Sequence, residues 1–303
     1  MHCNLCCGNS LGPFLPAYIR AVGFAEELGL VKCARCGLVF LHPQPSWEKL
    51  EQFYPESYYL EDSKTNNGFL SRLMERLESK NRGTIVVPGG RLLDVGCGSG
   101  KFLLSMKKRN MNVYGVEPGR YGFQICKSRG LNVQNTFLET SGYQDDSFDV
   151  ITLNHVLEHL PNPKETLLHV RRLLRPSGTV IIQVPNLRSF AFLISRQYFF
   201  HLDVPRHLFH FTRETLESYL TSTGFVLVNA RYYSSATAIL ESLWLRLRSA
   251  PVSTYDKTVA QRNRLALMVF ELILVPFKVL LNKLHLGDSV EVYAVLRSAI
   301  RRA

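Results

Sequence analysis

The sequence predicts an α/β fold, a Rossmann-like seven-stranded sheet with helices on both faces, with a small cysteine-bearing module before it and a helical insertion before the last strand. Three observations predict this. From Pro88 onward, short apolar runs alternate with amphipathic stretches, the pattern of a parallel sheet whose strands are joined by crossover helices. The run Arg91-Leu-Leu-Asp-Val-Gly-Cys-Gly-Ser-Gly100 takes a buried strand straight into a helix through three glycines. Such a turn frees backbone N–H groups for a ligand at the carboxyl edge of a parallel sheet. Finally, Cys3-x-x-Cys6 and Cys33-x-x-Cys36 form two pairs with the spacing of metal knuckles.

Each C-x-x-C pair sets two thiolates on one tight turn, and Gly8 and Gly37 follow where permissive backbone is needed. Two such turns complete a tetrahedral site. A zinc ribbon is therefore expected over residues 1–45, with Cys3, Cys6, Cys33 and Cys36 as ligands. Four sulfurs leave no open coordination position, so this zinc would be structural. Cys7 points away as a spare thiol, and Cys97 and Cys126 belong to the core.

Residues 46–88 read as a helical, tyrosine-rich connector. Pro43, Pro45 and Ser46 close the ribbon and start a helix from Trp47 to Phe53. The segment Phe53-Tyr-Pro-Glu-Ser-Tyr-Tyr-Leu60 is either a packing strap or a lid in which Tyr58 or Tyr59 reaches the substrate. A further helix is expected over 69–80.

The main domain spans 89–303. Its strands are expected at Leu92 to Val95, Asn112 to Glu117, Leu131 to Asn135, Phe148 to Asn154, Thr179 to Val184, Phe225 to Tyr233 and Val290 to Arg297. Helices are expected from Ser99 to Arg109, from Lys164 to Leu174, and from an N-cap at Thr212 to a stop at Gly224. The insertion, 234–287, is mostly apolar or basic. Ala236 to Arg248 sets Ile239, Leu240, Leu243, Trp244 and Leu247 on one face, and Leu265 to Leu281 is apolar nearly all round. Glu271, Pro276 and Lys278 interrupt the latter, so it falls short of the ~20 apolar residues a membrane span needs. Burial over the sheet is the expected arrangement, with peripheral membrane contact as its rival.

The chain has 303 residues, is 46% hydrophobic and carries a formal charge of +11. That supports a full core and an anionic partner, whether a phosphorylated substrate, nucleic acid or a lipid surface. The N-terminus lacks a basic-then-apolar leader, and paired cysteines suit a reducing compartment, so a cytoplasmic protein is expected, with membrane association as an addition.

Three stretches, Leu92-Leu-Asp-Val-Gly-Cys-Gly-Ser-Gly100, Val113-Tyr-Gly-Val-Glu-Pro118 and Ser147-Phe-Asp-Val-Ile-Thr-Leu-Asn-His-Val-Leu-Glu-His-Leu160, resemble the class I S-adenosylmethionine-dependent methyltransferases over 91–233. The resemblance implies the strand order 3-2-1-4-5-7-6 with the seventh strand antiparallel. It also implies that Asp94, Gly96, Gly98 and Gly100 form the loop that holds the methionine part, that Glu117 takes the ribose, and that Asn154 lies on the sulfonium side. Lys101 stands where a dinucleotide fold would need spacing toward its third glycine, which disfavours a nicotinamide oxidoreductase.

Transfer to a hydroxyl requires a base of near-neutral pKa, and histidine suits it. His159, after the fourth strand, is the first candidate and His207, after the fifth, the second. His155, Asp203, Arg206 and His210 are candidate substrate contacts in the same two segments. The ribbon, the tyrosine-rich connector and Glu158-His-Leu160 also resemble deoxysugar C-methyltransferases. Of that family's Tyr-x-Glu-His element only His207 is kept, with Val204 and Arg206 in place of Tyr and Glu. The expected acceptor is therefore a sugar hydroxyl on a nucleotide- or lipid-linked saccharide. Quinone or lipid methylation is the alternative. RNA base methylation is opposed by Asn154-His-Val-Leu, which lacks the Pro-Pro-aromatic element that stacks a flipped base. A non-catalytic binding module is opposed by Asp94, the glycines and Glu117 together.

Overall fold

A small antiparallel sheet gathers the N-terminal strands β1 (Leu11–Pro13), β2 (Gly29–Cys33) and β3 (Val39–His42), and β3 pairs in turn with β9 (Phe209–His210). The structure, a computed structural model, describes residues 2–15, 28–63, 86–249 and 270–300. The helix expected over 69–80 and residues 250–269 of the insertion lie outside the described residues.

The large sheet contains β4 (Arg91–Val95), β5 (Asn112–Val116), β6 (Val133–Gln134), β7 (Phe148–Asn154), β8 (Leu174–Pro185), β10 (Phe225–Tyr233) and β11 (Ser289–Leu296). Its order is β10-β11-β8-β7-β4-β5-β6, the order that the resemblance implies. β4 runs parallel to both β5 and β7, and β5 runs parallel to β6. In register, Asp94 lies beside Gly115 on one side and Thr152 on the other. The carboxyl ends of these three strands are thereby level, the edge at which such sheets bind ligands.

The chain divides into two compact units. One comprises Glu51–Asn154, Leu168–Ile181 and Val295–Ala303. Leu92, Leu93, Leu103, Phe148 and Ile151 fill its core. Asp149 locks the start of its sheet, accepting from Arg91 N at 2.8 Å and from Arg175 at 2.6 Å. The other unit comprises Met1–Leu50, His155–Leu167 and Ile182–Ala294. Here Tyr219 is fully buried and its hydroxyl donates to Asn4 at 2.8 Å. The helix Arg213–Ser222 starts with a capping box, Thr212 accepting from Thr215 N as Thr215 accepts from Thr212 N.

Local differences from the expected elements have physical causes. The helix after the glycine loop is Lys101–Lys107, starting two residues late because Gly100 sits at φ 74°, a left-handed conformation outside the helix. The fifth core strand begins at Leu174 rather than Thr179, because Leu174 is fully buried although Pro176-Ser-Gly178 reads as a turn. A short helix, Phe190–Ser195, follows the N-cap Ser189.

Candidate active site

In the first unit, the chain leaves β4 through Gly96, Gly98 and Gly100, all at positive φ (63°, 54° and 74°). A side chain at any of them would be strained. The loop folds back onto Glu117 at the end of β5. Gly98 N donates to Glu117 Oε2 at 2.8 Å, Gly119 N donates to Oε1 at 2.8 Å, and the Tyr59 hydroxyl donates to Oε1 at 3.3 Å. Burial raises the Glu117 carboxyl above its ordinary pKa, against the pull of those donors. Gly119 and Gly122 let Tyr59 and the loop pack closely on Glu117: a Cβ on Gly119 would lie 2.0 Å from the Tyr59 oxygen, and one on Gly122 would lie 2.9 Å from Gly98 O.

Asp94 is buried and accepts from the Thr152 hydroxyl at 2.6 Å. Asn154 ends β7 with its Nδ2 donor buried and without a hydrogen-bond partner. Such a donor is costly unless a ligand completes it. Cys97 and Cys126 pack behind the loop, their sulfurs 3.9 Å apart. Of the two tyrosines expected to reach a substrate, Tyr59 instead turns inward to Glu117. Tyr58 is 42% exposed and packs edge-on against Tyr59 and Tyr54.

In the second unit, the segment after β7 and the segment after β8 meet around two imidazoles. His159 Nδ1 lies 3.0 Å from Arg206 O, and His207 Nδ1 lies 2.8 Å from His201 O. A carbonyl oxygen can only accept, so Nδ1 carries the proton in both rings and Nε2 carries the basic lone pair. The rings meet edge to face with centroids 4.6 Å apart. Burial lowers the pKa of His159 and lowers that of His207 well below 6.5, so both are neutral at pH 7. His210, pairing through its backbone with β3, is pushed down to about 4 by burial.

Glu158, the residue before His159, is fully buried. Its Oε1 meets His155 Nδ1 at 3.3 Å, while Oε2 has no hydrogen-bond partner. Burial works against its charge, but His155 and His159 carry its pKa below the ordinary value. Asp203 pairs with Arg206 at 2.6 Å and lies 3.6 Å from His207 Nε2. The proton of His207 is therefore fixed by the carbonyl of His201 rather than by Asp203. Ligand atoms of Glu158, His159 and His207 lie within 4.8 Å of one another, as do the sulfurs of Cys3, Cys6, Cys33 and Cys36.

The four cysteines fit a tetrahedral ion. Sulfur pairs Cys3–Cys36 and Cys6–Cys33 are each 3.5 Å apart, close to the roughly 3.8 Å that zinc–sulfur bonds of about 2.3 Å impose. Burial opposes ionisation of Cys33, but N–H groups of Cys36 and Arg35 bring its thiol down to about 7.

Sequence reasoning missed Thr152, Gly119 and Gly122. Gly119 and Gly122 were legible in principle, since both follow Glu117 closely and a carboxylate needing backbone donors favours small neighbours.

Comparison with known proteins places this geometry. A family described as a methyltransferase domain matches residues 63–230, more than half of the chain. The chain is 33% identical over 113 residues to a ubiquinone biosynthesis O-methyltransferase of Aeromonas salmonicida, covering 35% of this chain and 48% of that one. It is 30% identical over 116 residues to the protein of the same name from Hahella chejuensis, covering 36% and 49%. The chain thus spans about half the length of the curated relatives it matches. Among solved structures, an S-adenosylmethionine-dependent methyltransferase from Archaeoglobus fulgidus superposes with a TM-score of 0.53 at 22% identity, covering 78% of this chain and 98% of that one. A cyclase, SpnF, superposes at 0.55 and 18% identity, covering 84% and 98%. At these identities the structural likeness speaks to fold alone, and a cyclase on the same fold shows why.

Proposed function

The chain belongs to the methyltransferase-domain family, and from that membership we propose that it catalyses S-adenosylmethionine-dependent methyl transfer to a hydroxyl oxygen. The observation that carries the reading is the Glu117 carboxylate, held at the end of β5 by the Gly98 and Gly119 N–H groups beside a loop whose three glycines are at positive φ. The residues fit the nucleoside. Glu117 would accept its ribose hydroxyls, Asp94 and the loop Gly96–Gly100 would hold its amino-acid end, and the orphaned Asn154 Nδ2 would find an acceptor. When bound, S-adenosylmethionine supplies a methyl group already activated on a positively charged sulfur.

The chain's own task is then to orient an acceptor and remove its proton. His159 and His207 each hold the proton on Nδ1 and present Nε2 as base. His159 is the first candidate because Asn154, through which it follows β7, belongs to the proposed cofactor site. Arg206, neutralised by Asp203, fixes the His159 ring through its carbonyl, and His155 and His210 complete the set.

For the acceptor, the named relatives turn the reading away from the saccharide expected from sequence. They support a ring hydroxyl of a quinone precursor. A saccharide hydroxyl is the second reading, favoured by the four-cysteine module and the tyrosine-rich connector. The cysteine module is read as a structural zinc site.

Labelled methyl transfer by the metal-replete full chain, assayed against catechol-type quinone precursors, nucleotide sugars, lipid-linked saccharides and RNA, tests this. Transfer to the first class supports it, and transfer to RNA alone overturns it. Absence of S-adenosylmethionine binding in calorimetry overturns the enzyme assignment itself.

A further inference from the structure

In a helix on the surface of a water-soluble protein, the apolar stripe faces the core and the charged face meets water. The helix Val275–Lys283 and the helical residues 270–273 before it invert this. Glu271, Lys278 and Asn282 are only partly exposed and are spent on internal bonds. Glu271 accepts from Ala236 N at 2.9 Å and pairs with Lys278, and Asn282 accepts from the Ser234 hydroxyl at 2.7 Å. Leu281 is buried beside them, and Phe277 packs edge-on against Phe190. The opposite face shows water Leu272, Ile273, Val275, Val279 and Leu280, of which Ile273 is 65% and Leu272 56% exposed. The sequence expectation of burial over the sheet is thus met by one face only.

Among residues 270–284 the exposed charge is positive. From 270 to 284 the single acidic residue is Glu271, which is turned inward, whereas Lys283 is exposed. The helix Ala236–Arg248 repeats the composition: its single acid, Glu241, is buried, and its last turn exposes Arg246, Leu247 and Arg248. A second copy of the chain would bring +11 against +11, which opposes self-association through a basic rim. Among the described residues no helix is long and apolar enough to cross a membrane. A face of this kind suits the boundary between headgroups and acyl chains.

We propose that the outward face of residues 272–284 docks in the plane of a bilayer that bears anionic headgroups, with Lys283 meeting the phosphates and the aliphatic side chains entering the acyl boundary. This goes beyond the methyl-transfer reading and does not depend on it, since vesicle binding is read without catalysis.

The test is flotation of the full, metal-replete chain with vesicles of phosphatidylcholine and phosphatidylglycerol at 7:3, or of phosphatidylcholine alone. Binding to the anionic vesicles should exceed binding to the neutral ones by about tenfold and fall with added salt. The outward double substitution Val279→Glu with Leu280→Glu should reduce it about tenfold or more, while the circular dichroism spectrum is unchanged. A second variant, Ile273→Trp, should show a blue-shifted emission on adding anionic vesicles. No flotation with anionic vesicles at low salt, or binding unchanged by the double substitution, overturns the proposal. So does light scattering that shows a dimer dispersed by that same substitution.

Discussion

The Tyr59 hydroxyl donates to Oε1 of Glu117 at 3.3 Å, which makes Tyr59 the third donor on a carboxylate that already holds Gly98 and Gly119 N–H groups. Both oxygens face backbone donors. A glutamine in this place must aim its NH2 at one of them, so Glu117→Gln is not a conservative change. Charge-assisted bonds of this kind are worth about 1.5–3 kcal/mol. Glu117→Gln is expected to weaken S-adenosylmethionine binding by about tenfold or more in calorimetry. An unchanged affinity would remove Glu117 from the cofactor site.

The tautomers of His159 and His207 make a prediction about rate. With Nδ1 protonated against a carbonyl, Nε2 is the only basic position on each ring. Replacing the general base removes that proton acceptor but leaves the Glu117 cradle intact. His159→Ala should therefore cut kcat by ~10² or more with cofactor affinity nearly unchanged. Burial lowers both histidine pKa values, so the acid limb of kcat against pH should fall below the ordinary histidine value of about 6.5. Turnover by His159→Ala at the wild-type rate, with His207→Ala impaired, would move the role to His207.

Much of this architecture is written locally. Strand Phe148–Asn154 and the helix with its Thr212 cap announce themselves through apolar runs and a capping residue, so their bounds are legible. The glycine loop and Glu117 are legible for a related reason: positive φ and a strand-ending acid leave few residue choices. What sequence could not show depends on distant chain segments. The two-residue strand Phe209–His210 exists only because Val39 and Phe40 lie beside it. That His201, rather than Asp203, fixes His207 is set by a left-handed turn at Asp203 (φ 36°), which brings a carbonyl rather than a carboxylate to the ring. The inverted helix Val275–Lys283 was ambiguous for another reason, since an apolar sequence says nothing about which face meets water.

The four-cysteine cluster predicts a metal content. Its sulfurs converge from Cys3 and Cys6 before β1 and from Cys33 and Cys36 around the turn after β2, so an ion would tie the ends of a small sheet. A structural zinc bound by four thiolates adds its binding free energy to folding. Elemental analysis of the purified chain should give one zinc per molecule. Cys33→Ser should lose it and lower Tm by about 10 °C. A zinc-free protein of unchanged Tm would show that the cluster is a set of packed thiols.

His210 makes the fold sensitive to acid. It is buried with Nε2 lacking a hydrogen-bond partner, and burial lowers its pKa from 6.5 to about 4, with Glu158 opposing in part. The unfolded chain therefore binds a proton at this residue before the folded chain does. The associated stability is complete above pH 6.5 and is lost as pH falls toward 4, because stability rises with pH wherever the unfolded state holds more protons. Over that window the loss amounts to about 3 kcal/mol. Denaturant unfolding at intervals from pH 7 to pH 4.5 measures it. Carboxylates and cysteines titrate in both proteins, so the informative quantity is the difference between wild type and His210→Gln. The variant should be less stable at pH 7 and should show a shallower decline on acidification. Parallel curves for the two proteins would mean that His210 titrates normally and that its imidazole reaches water.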